Sequence, residues 1–553
     1  MRRVLAAALL AALPAPLLAD TLLDNVDGMT TDREGRIQRF AAVLIGDDGR
    51  IVQVFARGDK KPKKTTYAID GKGRFVLPGL IDSHGHVMEM GIAALTLDLS
   101  DTHTLAEALT RIAAYSRANP DRPWIIGRGW NQEAWGLGRY PTAAELDAAV
   151  GDRAVYLDRA DGHAAWASSR AMAQAGITAA TKDPAGGRIE RLPGGKPAGV
   201  FVDAAKDLFD HAKPAPRPED RDLALGKAQA LLLAKGVTAI ADMGTSIEDW
   251  QAFRRAGDSG RLQVRIVSYA LGVDNMVLIG GPGPSQWLYD DRLKMNGLKL
   301  YLDGALGSRG AWLKAPYSDA PGQTGNRLLN ESQLKNLMSR AAIDHFQIAV
   351  HAIGDAANGA ALDAFEDLAQ TYKGDRRWRI EHAQIVDPAD IARFGRIGVI
   401  ASMQPVHQTS DRLMAESRLG PQRLAGAYAW ASLKRGGAKL VFGSDVPVEA
   451  ADPFAGIAAA ISRQGPDGQP AGGWQAQERV DLPTALAAYT SQGAWGLFAE
   501  DHFGRIEKGQ RADFVFVDRD LSVSTPEQIR ATKVLETWIG GRVAYDASKA
   551  PAK

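Results

Sequence analysis

Histidine is the residue type of this chain whose placement most clearly suggests chemistry. The sequence has 553 residues with ten histidines and no cysteine. His84 and His86 end an apolar, strand-like run. Residues two apart on a strand point to the same side, so these two imidazoles are expected to share one small volume. Converging imidazoles are typical of a metal site, although a His-x-His pair on a protein surface is the commoner case.

The same placement recurs three more times along the chain. His351, His382 and Asp445 each end a short apolar run. Four histidines and one aspartate at predicted strand ends are hard to explain as unrelated packed side chains. The sequence therefore predicts one metal centre built on imidazole nitrogen and carboxylate oxygen, since the absence of cysteine excludes thiolate ligands.

Lys299 adds a less obvious member to this set. In the run from residue 297 to 304, the leucines share one face of the strand, and Lys299, Tyr301 and Asp303 share the other. A lysine that points into a protein interior is unfavourable unless it is paired or chemically altered. Two interpretations stay open: a salt bridge with a nearby acid, or reaction with carbon dioxide to a carbamate that bridges two metals.

Eight strand-like runs that alternate with amphipathic helical segments would position these residues. Such β–α repeats predict an α/β fold with a closed (β/α)8 TIM barrel, whose catalytic groups lie at the C-terminal strand ends. The gap after the first run is too long for a simple crossover, so residues from about 100 to 225 are predicted to be an insertion over the barrel mouth. The runs are 75–82, 237–243, 264–271, 298–303, 347–351, 378–382, 399–404 and 440–445.

The two flanks of the barrel region, which itself spans 79–502, are rich in β-type runs and turns. Residues 20–78 and 503–546 are predicted to pair into one small β-sandwich formed by both chain ends, the alternative being two separate decorations. Residues 1–19 have a basic start, an apolar stretch and a small residue at the end, which predicts a cleaved signal peptide. An exported protein is expected, periplasmic in a Gram-negative source and otherwise secreted.

Composition excludes several classes of partner. Lys and Arg total 66 against 65 Asp and Glu, a balance that argues against a nucleic-acid binder. No run of about 20 apolar residues is present, so no membrane insertion is expected after removal of the signal. A small-molecule substrate is the expected partner, and the oligomeric state is left open.

The combined motifs resemble the amidohydrolase superfamily, in its amidohydrolase-3 branch. The resemblance covers nearly the whole mature chain and implies a (β/α)8 barrel, a bipartite β-sandwich and a divalent metal centre. The motifs that carry it are 78–86, 299–304 with 307–309, 351–355, 381–382, 443–447, two insertion segments at 141–147 and 161–163, and the C-terminal segment 504–513.

The resemblance also implies a ligand set. One metal would lie on His84, His86 and Asp445, and a second on His351 and His382. Lys299, if carbamylated, would bridge them. Two zinc ions are the default expectation.

A mechanism by metal-activated hydroxide follows from this layout. Asp445 would accept a proton from that hydroxide and return it to the leaving amine. His163 and Arg309 are the predicted donors to the oxyanion, with His407 a third candidate. The alternatives are that His163 packs beneath the insertion and that Arg309 pairs with an acid.

Aromatic side chains of the insertion complete the predicted substrate site. Trp130 and Trp135 are candidates for an apolar wall, the alternative being a place in the core of the insertion. Asp303, Gln404 and His407 are the polar candidates for substrate contact.

The leading hypothesis is an exported, metal-dependent hydrolase of a non-peptide carbon–nitrogen bond in an amide, N-acyl, formamide or cyclic amide group. The same site would also serve an ester, lactone or phosphotriester. A metal-dependent periplasmic binding protein is a third interpretation, but a pure binder has little need for the carboxylate of Asp445.

Overall fold

The structure is a computed structural model that describes residues 20–549, so the predicted signal peptide, 1–19, lies outside the described residues. Eight parallel strands in chain order form its centre. They are β1 (Leu80–Gly85), β2 (Val237–Thr245), β3 (Arg265–Leu271), β4 (Leu293–Tyr301), β5 (Gln347–Ala352), β6 (Arg379–His382), β7 (Ile400–Met403) and β8 (Leu440–Phe442).

The barrel is closed at the C-terminal ends of its first and last strands. The amide of Asp445 donates to the carbonyl of His84 at 2.7 Å, and the amide of His86 donates to the carbonyl of Val446, also at 2.7 Å. The predicted (β/α)8 barrel is therefore confirmed, and each of the two bonds involves at least one residue of the predicted metal centre.

Two barrel strands begin more than one residue away from the predicted position. The run predicted at 75–82 is split at Gly79, and its first half, Phe75–Pro78, joins the β-sandwich. Only glycine fits at the split, because an added Cβ would lie 2.1 Å from Thr238 Oγ1. Strand β4 starts at residue 293 rather than 298. Asn296 interrupts the apolar pattern of the sequence, but its side chain is buried and donates to Tyr269 Oη at 3.1 Å. The strand therefore extends through this residue.

The helices around the barrel follow from capping and apolar spacing. In the helix Glu331–Ile343, the side chain of Asn330 accepts from the amide of Gln333 at 2.9 Å, and Leu334 and Met338 are buried one turn apart. The α-helices of the barrel are Val87–Ala93, Pro218–Ala234, Ile247–Asp258, Gly272–Gly280, Glu331–Ile343, Asp355–Thr371, Ile391–Ile397, Pro405–Leu419, Trp430–Arg435, Pro453–Ser462, Leu482–Ala488 and Ser491–Gly496.

The insertion forms a mixed six-stranded sheet with its own apolar core. It ends earlier than predicted, because the helix from residue 218 packs into the barrel core through residues such as Leu225 and Leu232. In spatial order its strands are Gly187–Arg191, Pro197–Asp203, Ala164–Ala167, Ala154–Arg159, Trp124–Trp130 and Leu97–Asp98. Its helices are Leu105–Ala118, Ala143–Val150 and Ser169–Gln174, followed by the 3-10 helix Ala204–Phe209.

The two chain ends form a sandwich of two sheets. Phe75–Pro78 pairs antiparallel with Phe514–Val517, so N-terminal and C-terminal strands lie in one sheet. That sheet runs Arg542–Asp546, Val534–Ile539, Phe514–Val517, Phe75–Pro78, Asp27–Thr31 and Ile37–Phe40, and the other runs Ile51–Phe55, Ala42–Ile45, Thr21–Asp24 and Tyr67–Asp70. The C-terminal flank also has the helix Pro526–Arg530.

Between residues 20 and 549, none of the helices combines the length and the apolar character needed to cross a membrane.

Candidate metal centre

Asp445 is surrounded by imidazoles at the closed end of the barrel. Its Oδ1 lies 3.0 Å from His86 Nε2 and 3.3 Å from His84 Nε2, and its Oδ2 lies 3.3 Å from His407 Nε2. Its backbone is in the left-handed region, with φ of 60°, where a residue other than glycine is strained. This strain is typical of a residue held in place for function.

A second pair of imidazoles adjoins this group. The ring centroids of His351 and His382 are 4.5 Å apart, and those of His382 and His84 are 4.8 Å apart. His382 Nδ1 lies 3.0 Å from Gln404 Oε1, which leaves its Nε2 for another partner. The five strand-end residues that were predicted to hold metal therefore lie in one cluster.

The polar atoms left without partners fit a metal better than a closed protein core. Among the described residues, His84 Nε2, His351 Nε2 and Lys299 Nζ are buried and have no hydrogen-bond partner. Asp445 Oδ1, 3.3 Å from His84 Nε2, and Asp303 Oδ1, 3.6 Å from His351 Nε2, are near but form no hydrogen bond with these nitrogens. Buried polar atoms are normally paired, so three orphans in one cluster indicate a missing partner. Imidazole nitrogen with carboxylate oxygen is a donor set that suits zinc and related divalent metals.

Electrostatics keep two of the imidazoles neutral. Burial and then the neighbouring imidazole of His382 lower the pKa of His351 well below its usual value. Burial also lowers the pKa of His382 well below its usual value, despite the opposing charge of Asp445. A neutral imidazole has the lone pair that a metal ligand needs.

Asp445 and His407 titrate in opposite directions. Burial raises the pKa of Asp445, but the charge of His84 and the close contacts with His407, His84 and His86 together bring it well below its usual range. Burial lowers the pKa of His407, yet hydrogen bonds to Asp445 and Glu449 raise it to about 10. These opposite shifts favour the ionised form of Asp445 and the protonated form of His407.

A model of the amidohydrolase family matches residues 68–545 of this chain. The chain belongs to the amidohydrolase family. This amidohydrolase is 33% identical over 552 residues to Protein LONG AFTER FAR-RED 3 of Arabidopsis thaliana, with 96% of this chain and 92% of the relative covered. It is 27% identical to an N-substituted formamide deformylase of Arthrobacter pascens, with 96% and 99% covered.

Solved structures agree with that assignment. A crystal structure of an uncharacterized metal-dependent hydrolase from Pyrococcus horikoshii superposes with a TM-score of 0.74 at 27% identity and covers 92% of this chain and 99% of its own. The family match and this structural similarity support the predicted assignment to hydrolases of carbon–nitrogen bonds.

His163 of the amidohydrolase reaches the centre from the insertion. Its ring centroid lies 5.2 Å from that of His351, and its Nδ1 lies 2.9 Å from Asp203 Oδ1. Burial lowers the pKa of His163, but the hydrogen bond and charge of Asp203 outweigh this and raise it. The structure thus places a hydrogen-bond donor of the insertion beside the candidate ligands.

Arg309 and the two tryptophans occupy other places than those first predicted for them. The guanidinium of Arg309 is paired with Asp319, at 2.9 Å from Nη2 to Oδ2, so its charge already has an acidic partner. Trp130 and Trp135 are buried in the core of the insertion, where their Nε1 atoms donate to the carbonyls of Leu157 at 2.7 Å and of Thr102 at 3.0 Å. In all three cases the structure matches the alternative interpretation.

Asp303 and Gln404 support the centre rather than face open space. The carboxylate of Asp303 accepts from the amides of Trp312, Ile353 and Gly354 at 2.8 to 3.0 Å and so ties together the loops after β4 and β5. Burial raises the pKa of Asp303 to about 7, although these three amides oppose the shift. Gln404 orients His382 through the contact given above.

Sequence reasoning missed the role of Glu381 and of Arg379. Both side chains are fully buried inside the barrel, and Glu381 Oε2 lies 2.6 Å from His84 Nδ1. The signal was present in the strand: Arg379 and Glu381 are two residues apart and so share one face of β6, opposite the apolar Ile380. Two opposite charges on one face of a buried strand indicate a polar contact inside the barrel.

Proposed function

We propose that this amidohydrolase hydrolyses a non-peptide amide-type bond, in an amide, N-acyl, formamide or cyclic amide group. The observation that carries the proposal is the carboxylate of Asp445, which contacts three imidazoles at 3.0 to 3.3 Å. A carboxylate in that position is suited to hold a proton and to return it to a leaving amine. The similarity to an N-substituted formamide deformylase along 96% of the chain supports the bond class.

The proposed metal ligands are His84, His86 and Asp445 for one ion and His351 and His382 for a second, with zinc as the expected metal. A bound divalent metal would polarise the substrate carbonyl and lower the pKa of water to about 7. Asp445 would orient the attacking water and accept its proton. His163, held by Asp203, is the donor that stabilises negative charge on the carbonyl oxygen.

We propose that Lys299 completes the ligand set as a carbamate. Lys299 is 1% exposed, and its buried amine has no hydrogen-bond partner among the described residues. Burial lowers the pKa of Lys299, with the charges of Glu381 and Asp445 opposing, and a neutral amine is the form that attacks carbon dioxide. The new N–C bond forms as one C=O bond opens to a carboxylate, and the amine releases one proton.

Export by residues 1–19 is also a proposal. N-terminal sequencing of the mature protein is the direct measurement. A first residue at Asp20 would support cleavage after Ala19, and an intact Met1 in the fully processed protein would contradict it.

A substrate panel tests the proposed function. Metal-reconstituted protein is assayed against matched amides, formamides, lactams, esters and phosphotriesters, with Asp445→Asn as the control. We expect cleavage of the amide-type members alone and a loss of about 10⁴-fold in kcat/KM for Asp445→Asn, since a general acid–base and a ligand atom are both removed. Cleavage confined to esters or phosphotriesters, or full activity of Asp445→Asn, would contradict the proposal.

A further inference from the structure

A buried carboxylate lies behind one of the candidate ligands. Glu381 Oε2 is 2.6 Å from His84 Nδ1, and neither side chain has any exposed surface. The other ring nitrogen, His84 Nε2, is one of the orphaned atoms that face the candidate metal position. The ring of His84 therefore has a carboxylate on one side and the candidate metal position on the other.

Arg379 binds this carboxylate and is itself bonded to three other strands of the barrel. Its guanidinium contacts both oxygens of Glu381, with 3.1 Å from Nη2 to Oε2. The same nitrogen donates to Ser83 O on β1 and to Ser402 Oγ on β7, each at 2.7 Å, and Nη1 lies 3.4 Å from Tyr269 Oη on β3. The inner space of a barrel is usually filled by branched apolar residues, so a charged pair there needs a reason.

We propose that Glu381 and Arg379 are positioning residues for the metal centre. Glu381 accepts the Nδ1–H of His84, which fixes the tautomer and leaves the Nε2 lone pair for the metal. Arg379 fixes the carboxylate by occupying both of its oxygens. Outer partners of this kind orient a ligand and raise its basicity, and their loss typically lowers metal affinity 10- to 100-fold. The inference rests on the metal centre of the proposed function.

The other candidate ligands show why His84 is the one affected. His382 has a neutral amide, Gln404 Oε1, on its Nδ1 at 3.0 Å. A carboxylate draws the ring proton more strongly than a neutral amide oxygen does, so it makes the opposite ring nitrogen the better metal ligand. Loss of Glu381 should therefore lower the affinity for the ion on His84, His86 and Asp445. The affinity for the second ion should fall less.

The chain offers a matched control in Arg265 and Asp513. This buried pair has the same chemistry, with 2.7 Å from Nε to Oδ2 and 2.8 Å from Nη2 to Oδ1, but it joins the start of β3 to the sandwich and contacts no candidate ligand. Glu381→Gln and Asp513→Asn each leave a buried arginine without its carboxylate. Both variants should lose stability, so only the effect on metal separates them.

The test is a chelator-competition titration of Co²⁺ into full-length apoprotein, read by the visible absorption of the bound ion. We expect Glu381→Gln to weaken one Co²⁺ site 10- to 100-fold and to change its absorption spectrum, and Asp513→Asn to leave both unchanged. Wild-type affinity and spectrum in Glu381→Gln would overturn the proposal, as would an equal loss in Asp513→Asn.

A second variant keeps the test decisive if Glu381→Gln fails to fold. Glu381→Gln with Arg379→Met removes the uncompensated charge together with the carboxylate, so the protein should fold and still show the weakened site. Wild-type Co²⁺ affinity in this double variant would overturn the proposal. Because the titration contains no substrate, failure of the proposed bond class leaves its result unaffected, whereas a wild-type protein that binds no Co²⁺ would contradict the metal centre itself.

Discussion

Charged and polar groups are buried at both ends of the barrel, but they are satisfied differently. At the N-terminal end, each side-chain nitrogen of Arg265 and each oxygen of Asp513 has a hydrogen-bond partner within 3.0 Å. At the C-terminal end, His84 Nε2, His351 Nε2 and Lys299 Nζ have none among the described residues. The first arrangement is complete once the chain has folded, whereas the second is completed only by something that binds.

The strongest way to probe the N-terminal end is to remove one partner of its ion pair. Asp513→Asn should lower the free energy of unfolding by about 3 to 5 kcal/mol, because it leaves the guanidinium of Arg265 buried without its counter-charge. Urea denaturation followed by circular dichroism measures this. An unchanged midpoint would show that the stability of this end does not depend on the ion pair. The control is kcat/KM per folded molecule, which should not change.

At the C-terminal end, removal of a buried polar group should instead stabilise the protein. Lys299→Met removes an unpaired buried amine while keeping similar bulk, so the metal-free protein should gain about 1 to 3 kcal/mol of stability. The same variant should lose activity, because a group that lowers the stability of the free protein is kept for its role in the site. Thermal unfolding in the presence of a chelator, beside a rate assay, checks both parts. A destabilised apoprotein would contradict the interpretation of Lys299 as an unsatisfied group.

The smallest effect is expected for Arg309, which lies near the barrel mouth but pairs with Asp319. Both side chains are about a quarter exposed, so the pair should contribute less than about 1 kcal/mol. Arg309→Ala should therefore leave kcat/KM within about threefold of the wild-type value. A drop of a hundredfold would restore Arg309 as an oxyanion donor.

Strand-end placement carried most of what the sequence could reveal. An apolar run that ends at His84 or Asp445 identifies the C-terminal end of a barrel strand without any knowledge of contacts. The barrel itself was predicted from eight apolar runs that alternate with amphipathic helical segments. Glu381 was not recognised because a charge inside a strand looks like a solvent-facing position until the strand is known to be buried on both faces. The partner of Arg309 was equally hidden, since Asp319 is ten residues away in a loop with no regular spacing.

Aromatic composition was a weaker guide. The density of tryptophan in the insertion was compatible with a substrate wall or with a core. Trp130 and Trp135 lie in the core because the insertion forms a separate sheet whose apolar side they cover. The existence of that sheet depends on strand pairings distant in sequence, which local patterns do not contain.

The central claim is that the C-terminal end of the barrel is completed by metal. An anomalous difference map from crystals of the purified protein, collected at the absorption edge of the metal it contains, tests this most directly. The account predicts a peak about 2.0 to 2.2 Å from the ligand atoms of His84, His86 and Asp445, with a second peak beside His351 and His382. A map with no peak among these residues, from protein that is active on an amide-type substrate, would contradict it.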